Sequence, residues 1–196
     1  MGDYRPELIP DDWLWAEYWT RYFTDQQPQH TWVVEDSASG QIGGYLTGTC
    51  DVHRARAYTP RLMPGMVWHV IRHRLMRRRA SRQAIISMLR SLFLDPADLP
   101  HVLARRYPAT WHFDLLPPAR QAGVGGHLYR RFLRAMHELE VPGIHGQILS
   151  LNTAMRQFLS RMGFSLAYTS PTSAFRHITS EPVEIQTWVK DLSTRK

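Results

Sequence analysis

A chain of 196 residues with 43% apolar and 21% charged side chains suits one folded domain and excludes a disordered polymer. Its apolar runs are too short to span a bilayer and its first residues lack an apolar secretory segment, so a cytoplasmic location is expected. The only cysteine, Cys50, excludes an intrachain disulfide and a cysteine-cluster metal site, and no metal is expected. The net charge of +7 admits an acidic partner without naming it.

Residues 10–25 read as a helix, with Asp11 and Asp12 in its first turn. Trp15, Tyr18, Trp19, Tyr22 and Phe23 recur at helical spacing and are expected to pack in the core. A hairpin follows, with strands at 31–35 and 41–48 and turn chemistry between them. Gly43 and Gly44 predict a bulge or a close backbone approach.

Residues 51–110 are unusual. After a polar entry, 66–94 reads as one or two helices with apolar positions at Trp68, Ile71, Leu75, Ile85, Met88, Leu89 and Leu92. Arg72, Arg74, Arg77, Arg78, Arg79 and Arg82 cluster there, and the only acids between His53 and Thr110 are Asp95 and Asp98. The plain reading of such a run is a solvated face. The functional readings are a polyanion-binding face, a lid over an acidic substrate, or a membrane-surface helix. Nucleic acid and anionic membrane remain unfavoured partners. A short helix is expected over 99–105.

Residues 111–116 form an apolar run, Arg120-Gln121-Ala122-Gly123-Val124-Gly125-Gly126 a glycine-rich turn, and 127–139 a helix with Leu128, Phe132, Leu133, Met136 and Leu139 on its core face. A strand over 144–151 leads to Asn152, expected to cap a helix that Gly163 ends. Strands are expected at 165–168 and 183–189, with Pro171 in the loop between them. A turn of small residues followed at once by a helix offers unpaired N–H groups and a positive dipole end. It suits a phosphate.

Arg120-Gln121-Ala122-Gly123-Val124-Gly125 resembles the pyrophosphate loop of GNAT-type N-acetyltransferases, R/Q-x-x-G-x-G/A. Leu115-Leu116-Pro117 is similar to that family's strand end. Residues 152–164, from Asn152 to Gly163-Phe164, are similar to its second motif, and 187–192 to a common ending. The strand His112-Phe113-Asp114-Leu115-Leu116-Pro117 looks most like acetyltransferase-like proteins related to the C-terminal domain of O-GlcNAcases. The resemblance implies an α/β (α+β) fold: a single domain over 1–196, with a mixed, strongly curved sheet and helices on both faces. The 51–110 segment is then an Arg-rich helical insertion between the third and fourth family strands, and the first strand and helix are reduced. A homodimer covering an exposed sheet edge through Trp13, Trp15 and Trp19 is the expected assembly.

The same resemblance implies acetyl-CoA as cofactor. Backbone groups of Leu115 and Leu116 would pair with the pantetheine amides. Arg120 belongs to the loop, and N–H groups at Gln121, Ala122, Gly123, Val124, Gly125, Gly126 and His127 would hold the diphosphate. Asn152 would reach the pantetheine or phosphate side. On that basis Gly125→Glu is expected to block coenzyme while leaving the fold largely intact. The expected activity is transfer of acetyl to an unknown amine by direct attack in a ternary complex. The alternative is a non-catalytic acyl-CoA-binding or regulatory domain, with polyanion binding through the Arg-rich helix. Acyl transfer needs a neutral amine, a stabilised oxyanion and a protonated leaving thiolate. His112 and Asp114 are the candidate catalytic pair, or a base acts through water. Counting back from the loop, however, turns Trp111 and Phe113 toward the acceptor and His112 and Asp114 against a helix. Leu159 stands where the family often has a tyrosine near the coenzyme sulfur, and neither Tyr129 nor Tyr168 takes its place in the sequence.

Overall fold

The computed structural model describes residues 11–95, 101–120 and 123–193. Helix α1 (Asp12–Gln26) starts at Asp11, whose carboxylate accepts the Leu14 N–H at 3.0 Å. Strands β1 (Thr31–Glu35) and β2 (Ile42–Thr49) form the expected hairpin. Its register slips between Val34 and Glu35, opposite the two glycines. A Cβ on Gly44 would lie 2.4 Å from Leu115 Cδ2, so bulge and close approach are both present.

Helix α2 (Val52–Arg72) begins well before the helix read from the sequence. Asp51 caps it by accepting the His53 N–H at 2.9 Å, so the polar entry is helical. Pro60 and Pro64 lie inside this helix. Both are exposed, as are Arg56 and Gly65, so water can reach the carbonyls that lose their donors. Arg74, at φ +51°, breaks the run; a short turn at Leu75–Arg77 leads to α3 (Arg79–Leu94). Next come α4 (His101–Arg106), β3 (Thr110–Leu115), the single turn α5 (Pro117–Arg120), and α6 (Val124–Glu138). The chain continues through β4 (Gly143–Leu149), α7 (Thr153–Arg161), β5 (Ser165–Thr172) and β6 (Val183–Asp191).

Helix α6 buries Gly125, Leu128, Tyr129, Phe132 and Met136. Leu139, expected on that face, is exposed because it already belongs to the C-cap. Gly163 ends α7 at φ +78°, and the Phe164 N–H returns to the Leu159 carbonyl at 3.0 Å. Strand β5 runs through Pro171 rather than stopping before it. Among the described residues it pairs only with β6, and an edge strand tolerates a missing N–H.

The strands form two antiparallel sheets, β1-β2-β3 and β4-β6-β5. One parallel bridge, Ala109 with Ile144, joins them into the expected mixed sheet. A single core crosses the join through Leu46, Ala109, Ile144, Phe132, Met136 and Leu159. Helix α6 covers one face, where Phe132 lies against Gly48. Helix α1 covers the other, where Trp19 stacks on His112 at 5.1 Å. Trp13 stacks on His69 of α2 at 4.3 Å, so two of the tryptophans expected at a dimer contact are engaged within the chain. Among the described residues no strand precedes α1, and α2 to α4 form the insertion between β2 and β3.

His145 lies beside the join, only 1% exposed. Its Nδ1–H donates to the Tyr107 carbonyl at 2.6 Å, and burial lowers its pKa from 6.5 to about 4. Between those values the unfolded chain binds a proton that the folded chain refuses. Folding stability therefore falls as pH drops from 6.5 toward 4, by up to about 1.4 kcal/mol per pH unit. Urea midpoints at neutral and mildly acidic pH should show this loss, and His145→Asn should make it shallower while leaving the share of His112, which burial holds neutral in the same way. An equally steep loss in the variant would assign it to other groups.

Candidate active site

Strands β3 and β4 meet at one rung and then part. The Ala109 N–H donates to Gly143 O at 3.3 Å, and the His145 N–H donates to Ala109 O at 2.9 Å. Beyond that rung β3 pairs with β2 along its length and β4 with β6. Alternation turns the backbone groups of Trp111, Phe113 and Leu115 toward β4, where no rung continues. The Trp111 ring crosses this opening: a Cβ on Gly146 of β4 would lie 2.9 Å from Trp111 Cζ2.

The two leucines at the end of β3 are not equivalent. The Leu116 N–H donates to Gly43 O at 2.8 Å, so the sheet already uses it. Leu115 faces the opening, and its carbonyl accepts Arg120 Nε at 2.7 Å. Arg120 therefore braces the loop against the strand end. Gln121 and Ala122 lie outside the described residues. Gly123 takes φ +69° as the N-cap of α6 and supplies no side-chain cap. The His127 N–H closes the first helical bond to Gly123 O at 3.4 Å. The open donors of the first turn are thus those of Val124, Gly125 and Gly126, not His127. The His127 ring instead accepts Arg130 Nη2 at 2.9 Å through Nδ1. Asn152 caps α7, its side chain accepting the Met155 N–H at 3.1 Å.

The glycines of the loop do different work. A Cβ on Gly125 would lie 3.0 Å from Phe113 Cζ and 3.4 Å from Leu115 Cδ1, so this glycine lets α6 close on β3. A Cβ on Gly126 would meet only the end of the Arg130 side chain, at 3.4 Å. The expectation that Gly125→Glu spares the fold is therefore corrected, because that carboxylate would be forced against Phe113 in the core.

The facing of β3 matches the expected register in part: His112 lies against a helix, under Trp19 of α1, but Trp111 and Phe113 are covered by helices as well. Trp111 and Phe113 pack toward α6 and α7, Trp111 against Tyr129 at 5.9 Å and Phe113 on Phe158 at 5.9 Å. His112 and Asp114 occupy the opposite face, beside Tyr45, whose ring lies 5.8 Å from that of His112. The enclosing Trp19 and Tyr45 rings push the His112 imidazole well below its usual range, so it is neutral near pH 7. Burial pushes the Asp114 carboxyl up, opposed by the Leu115 N–H and by Arg120. Burial likewise raises the Tyr45 phenol.

One group that the sequence reading set aside lies at the site. Tyr129 packs edge-on against both Trp111 and Phe158, each at 5.9 Å, beside the opening. Its hydroxyl and Trp111 Nε1 are both buried without a hydrogen-bond partner among the described residues. Helical periodicity marked only apolar positions on α6, and a phenol in that stripe gave no separate signal. Leu159 is fully buried in the core. A cavity of about 690 Å³ lies elsewhere, between the outer side of α7 and β5–β6, lined by Arg156, Arg161 and Trp188. None of the candidate residues lines it.

Gly125→Glu should cost about 3 kcal/mol or more, from overpacking and a buried carboxylate. Gly126→Ala should leave stability unchanged or raise it by up to about 1 kcal/mol. Thermal melts of the two variants check the ordering, and equal melting points would refute it.

No family model and no curated protein sequence matches the chain. Solved structures do. SsHAT matches with a TM-score of 0.58 at 23% identity, over 92% of this chain and 81% of its own. A GCN5-related N-acetyltransferase from Kribbella flavida matches with a TM-score of 0.54 at 20% identity, over 97% of this chain and 81% of its own. The fold is that of the GNAT acetyltransferases.

Proposed function

We propose that this protein is an acetyl-CoA-dependent N-acetyltransferase acting by direct attack of an amine in a ternary complex. The observation that carries the proposal is the parting of β3 and β4 after one rung, beside an α6 N-terminus that no side chain caps among the described residues. A fold seeking only stability would continue the ladder and cap the helix. Trp111 Nε1 and the Tyr129 hydroxyl, buried and unsatisfied, fit a polar chain laid along this opening. When bound, the coenzyme supplies an acetyl thioester. The N–H groups of Val124, Gly125 and Gly126 would hold its diphosphate, and the Leu115 N–H, shared with the Asp114 carboxyl, lies on the strand edge that would face the acyl oxygen. The narrower kinship to O-GlcNAcase-related acetyltransferase-like proteins rests on the 112–117 strand alone.

Helices α6 and α7 cover one face of β3, and Trp19 of α1 lies over His112 on the other, so the amine would approach on that second face beside α1. That is the face of His112, Asp114 and Tyr45. A neutral His112 has a lone pair for the amine proton, taken directly or through water, and Asp114 is the second candidate. With Leu159 in the core, the hydroxyl available to protonate a leaving thiolate beside the opening is that of Tyr129. The second reading, a non-catalytic acyl-CoA-binding domain, is favoured by one observation: Leu159 offers no proton.

Calorimetry with acetyl-CoA tests the binding site. Gly126→Asp should keep the fold, because an acidic residue in a first turn suits the dipole, yet repel the diphosphate and weaken binding about tenfold or more. Unchanged affinity would refute the loop assignment. Thiol release across an amine panel separates enzyme from binding domain. Tyr129→Phe removes a hydroxyl that has no partner among the described residues, so stability should hold or rise. If that hydroxyl donates the proton, kcat should still fall about 10–100-fold. A kcat equal to wild type would remove Tyr129 from the mechanism.

A further inference from the structure

Helices α2 and α3 carry a surface that the acetyl-transfer reading does not use. Between Asp51 and Asp95 the chain has ten arginines, from Arg54 to Arg90, and neither Asp nor Glu. The whole chain is only +7, so the remainder is net negative by three.

The same stretch exposes apolar side chains in helical stripes. On α2, Met63, Val67 and Ile71 recur every four residues at 37%, 55% and 64% exposure, with Trp68 at 59% beside them. On α3, Ile86, Leu89 and Phe93 repeat the pattern, and Phe93 is 84% exposed. The opposite side of α2 is engaged, since Tyr58 packs on Tyr22 and His69 on Trp13. The stripe is therefore a face left over after α1 has docked. Arg72 stands over the Trp68 ring at 5.9 Å, setting a cation at the edge of the apolar strip. Exposed apolar side chains beside a continuous run of arginines describe a helix at a bilayer interface.

We propose that α2 and α3 bind this protein to the surface of an anionic lipid bilayer. Two competing occupants fit less well. A second copy docked through the same face would bring arginines against arginines, with no acid in the segment to pair them. Nucleic acid would match the charge, but bases stack on aromatic rings, whereas Met63, Val67, Ile71, Ile86 and Leu89 would gain little from them. A bilayer satisfies both parts: acyl chains take the stripe and headgroup phosphates take the arginines. No helix among the described residues is long and apolar enough to cross a membrane, so the contact lies on the surface.

The test is flotation of the full chain with vesicles of phosphatidylcholine alone or with roughly one third phosphatidylserine. Binding should be at least about tenfold stronger to the anionic vesicles. Replacing one arginine of the 77–79 cluster by Gln should weaken it about fivefold. Ile71→Ser and Phe93→Ser, both at exposed positions, should each weaken it about tenfold with melting points unchanged. High salt should reduce binding without abolishing it, since the apolar contact survives screening. Absence of binding to the anionic vesicles would overturn the proposal. So would duplex DNA or RNA that binds equally well to the serine variants and displaces the vesicles. A concentration-dependent dimer that the serine variants dissolve would overturn it in favour of self-association. None of these readouts depends on coenzyme binding.

Discussion

Ala109 is held by two hydrogen bonds, one to Gly143 and one from His145, and those bonds join the two sheets. The join is tight because Gly143 has no side chain; a Cβ there would lie 2.4 Å from the Tyr107 ring. The Tyr107 carbonyl holds the His145 imidazole, so Tyr107 and Ala109 before β3 grip Gly143 and His145 at the start of β4. Everything later on those strands depends on this grip. It fixes them in parallel for one rung and so determines where they separate. Each strand then follows its own antiparallel partner, and the right-handed twist of the two sheets carries them apart. The opening is thus a consequence of pairing, and the side chains that border it need no other support.

Much of this was legible in the sequence, wherever the signal is local. The strand–turn–helix at 111–139, the Asn152 cap and the Gly163 stop each use a few neighbouring residues whose chemistry admits little else. The bulge opposite Gly43 and Gly44 is of the same kind. What the sequence hid is tertiary. Strand alternation pairs His112 with Asp114, but which face they take depends on where Gly125 and Leu128 of α6 come to rest. The early start of α2 was hidden because local rules disfavour prolines such as Pro60 and Pro64 inside a helix and cannot see that their side of it faces water. Tyr129 lies in a stripe of core residues, and only the packing of Phe158 and Trp111 around it brings its hydroxyl to the opening.

The site therefore combines two kinds of local violation. Buried polar atoms ordinarily find partners, yet Trp111 Nε1 and Tyr129 Oη have none among the described residues. Helix starts are ordinarily capped, and α1, α2 and α7 each use an Asp or Asn, yet α6 opens on a bare glycine, and α3 too starts without a side-chain cap at Arg78. Each departure costs stability. Two departures bordering one opening fit a surface shaped for something other than the fold. The loop glycines divide accordingly: Gly123 makes the left-handed turn, Gly125 serves the packing of α6 on β3, and Gly126 leaves the first turn open.

The distribution of charge follows a different logic from the site. Around β3 the ionisable groups are few and are held near neutrality by burial: His112 is pushed toward its uncharged form, and Asp114 is raised toward its own. Across α2 and α3 the guanidiniums lie in water with no acid in the same stretch. A coenzyme site would need only a few positive groups near a diphosphate, and Arg120, Arg130 and the α6 dipole already stand at that loop. Ten more arginines on the insertion exceed that need. Mutual repulsion along α2 and α3 works against folding, and the exposed apolar stripes add to the cost of keeping the segment in water. A surface that is unfavourable in both respects when bare becomes favourable in both against an anionic, apolar-backed partner. That pairing ties the two features of the insertion to a single cause.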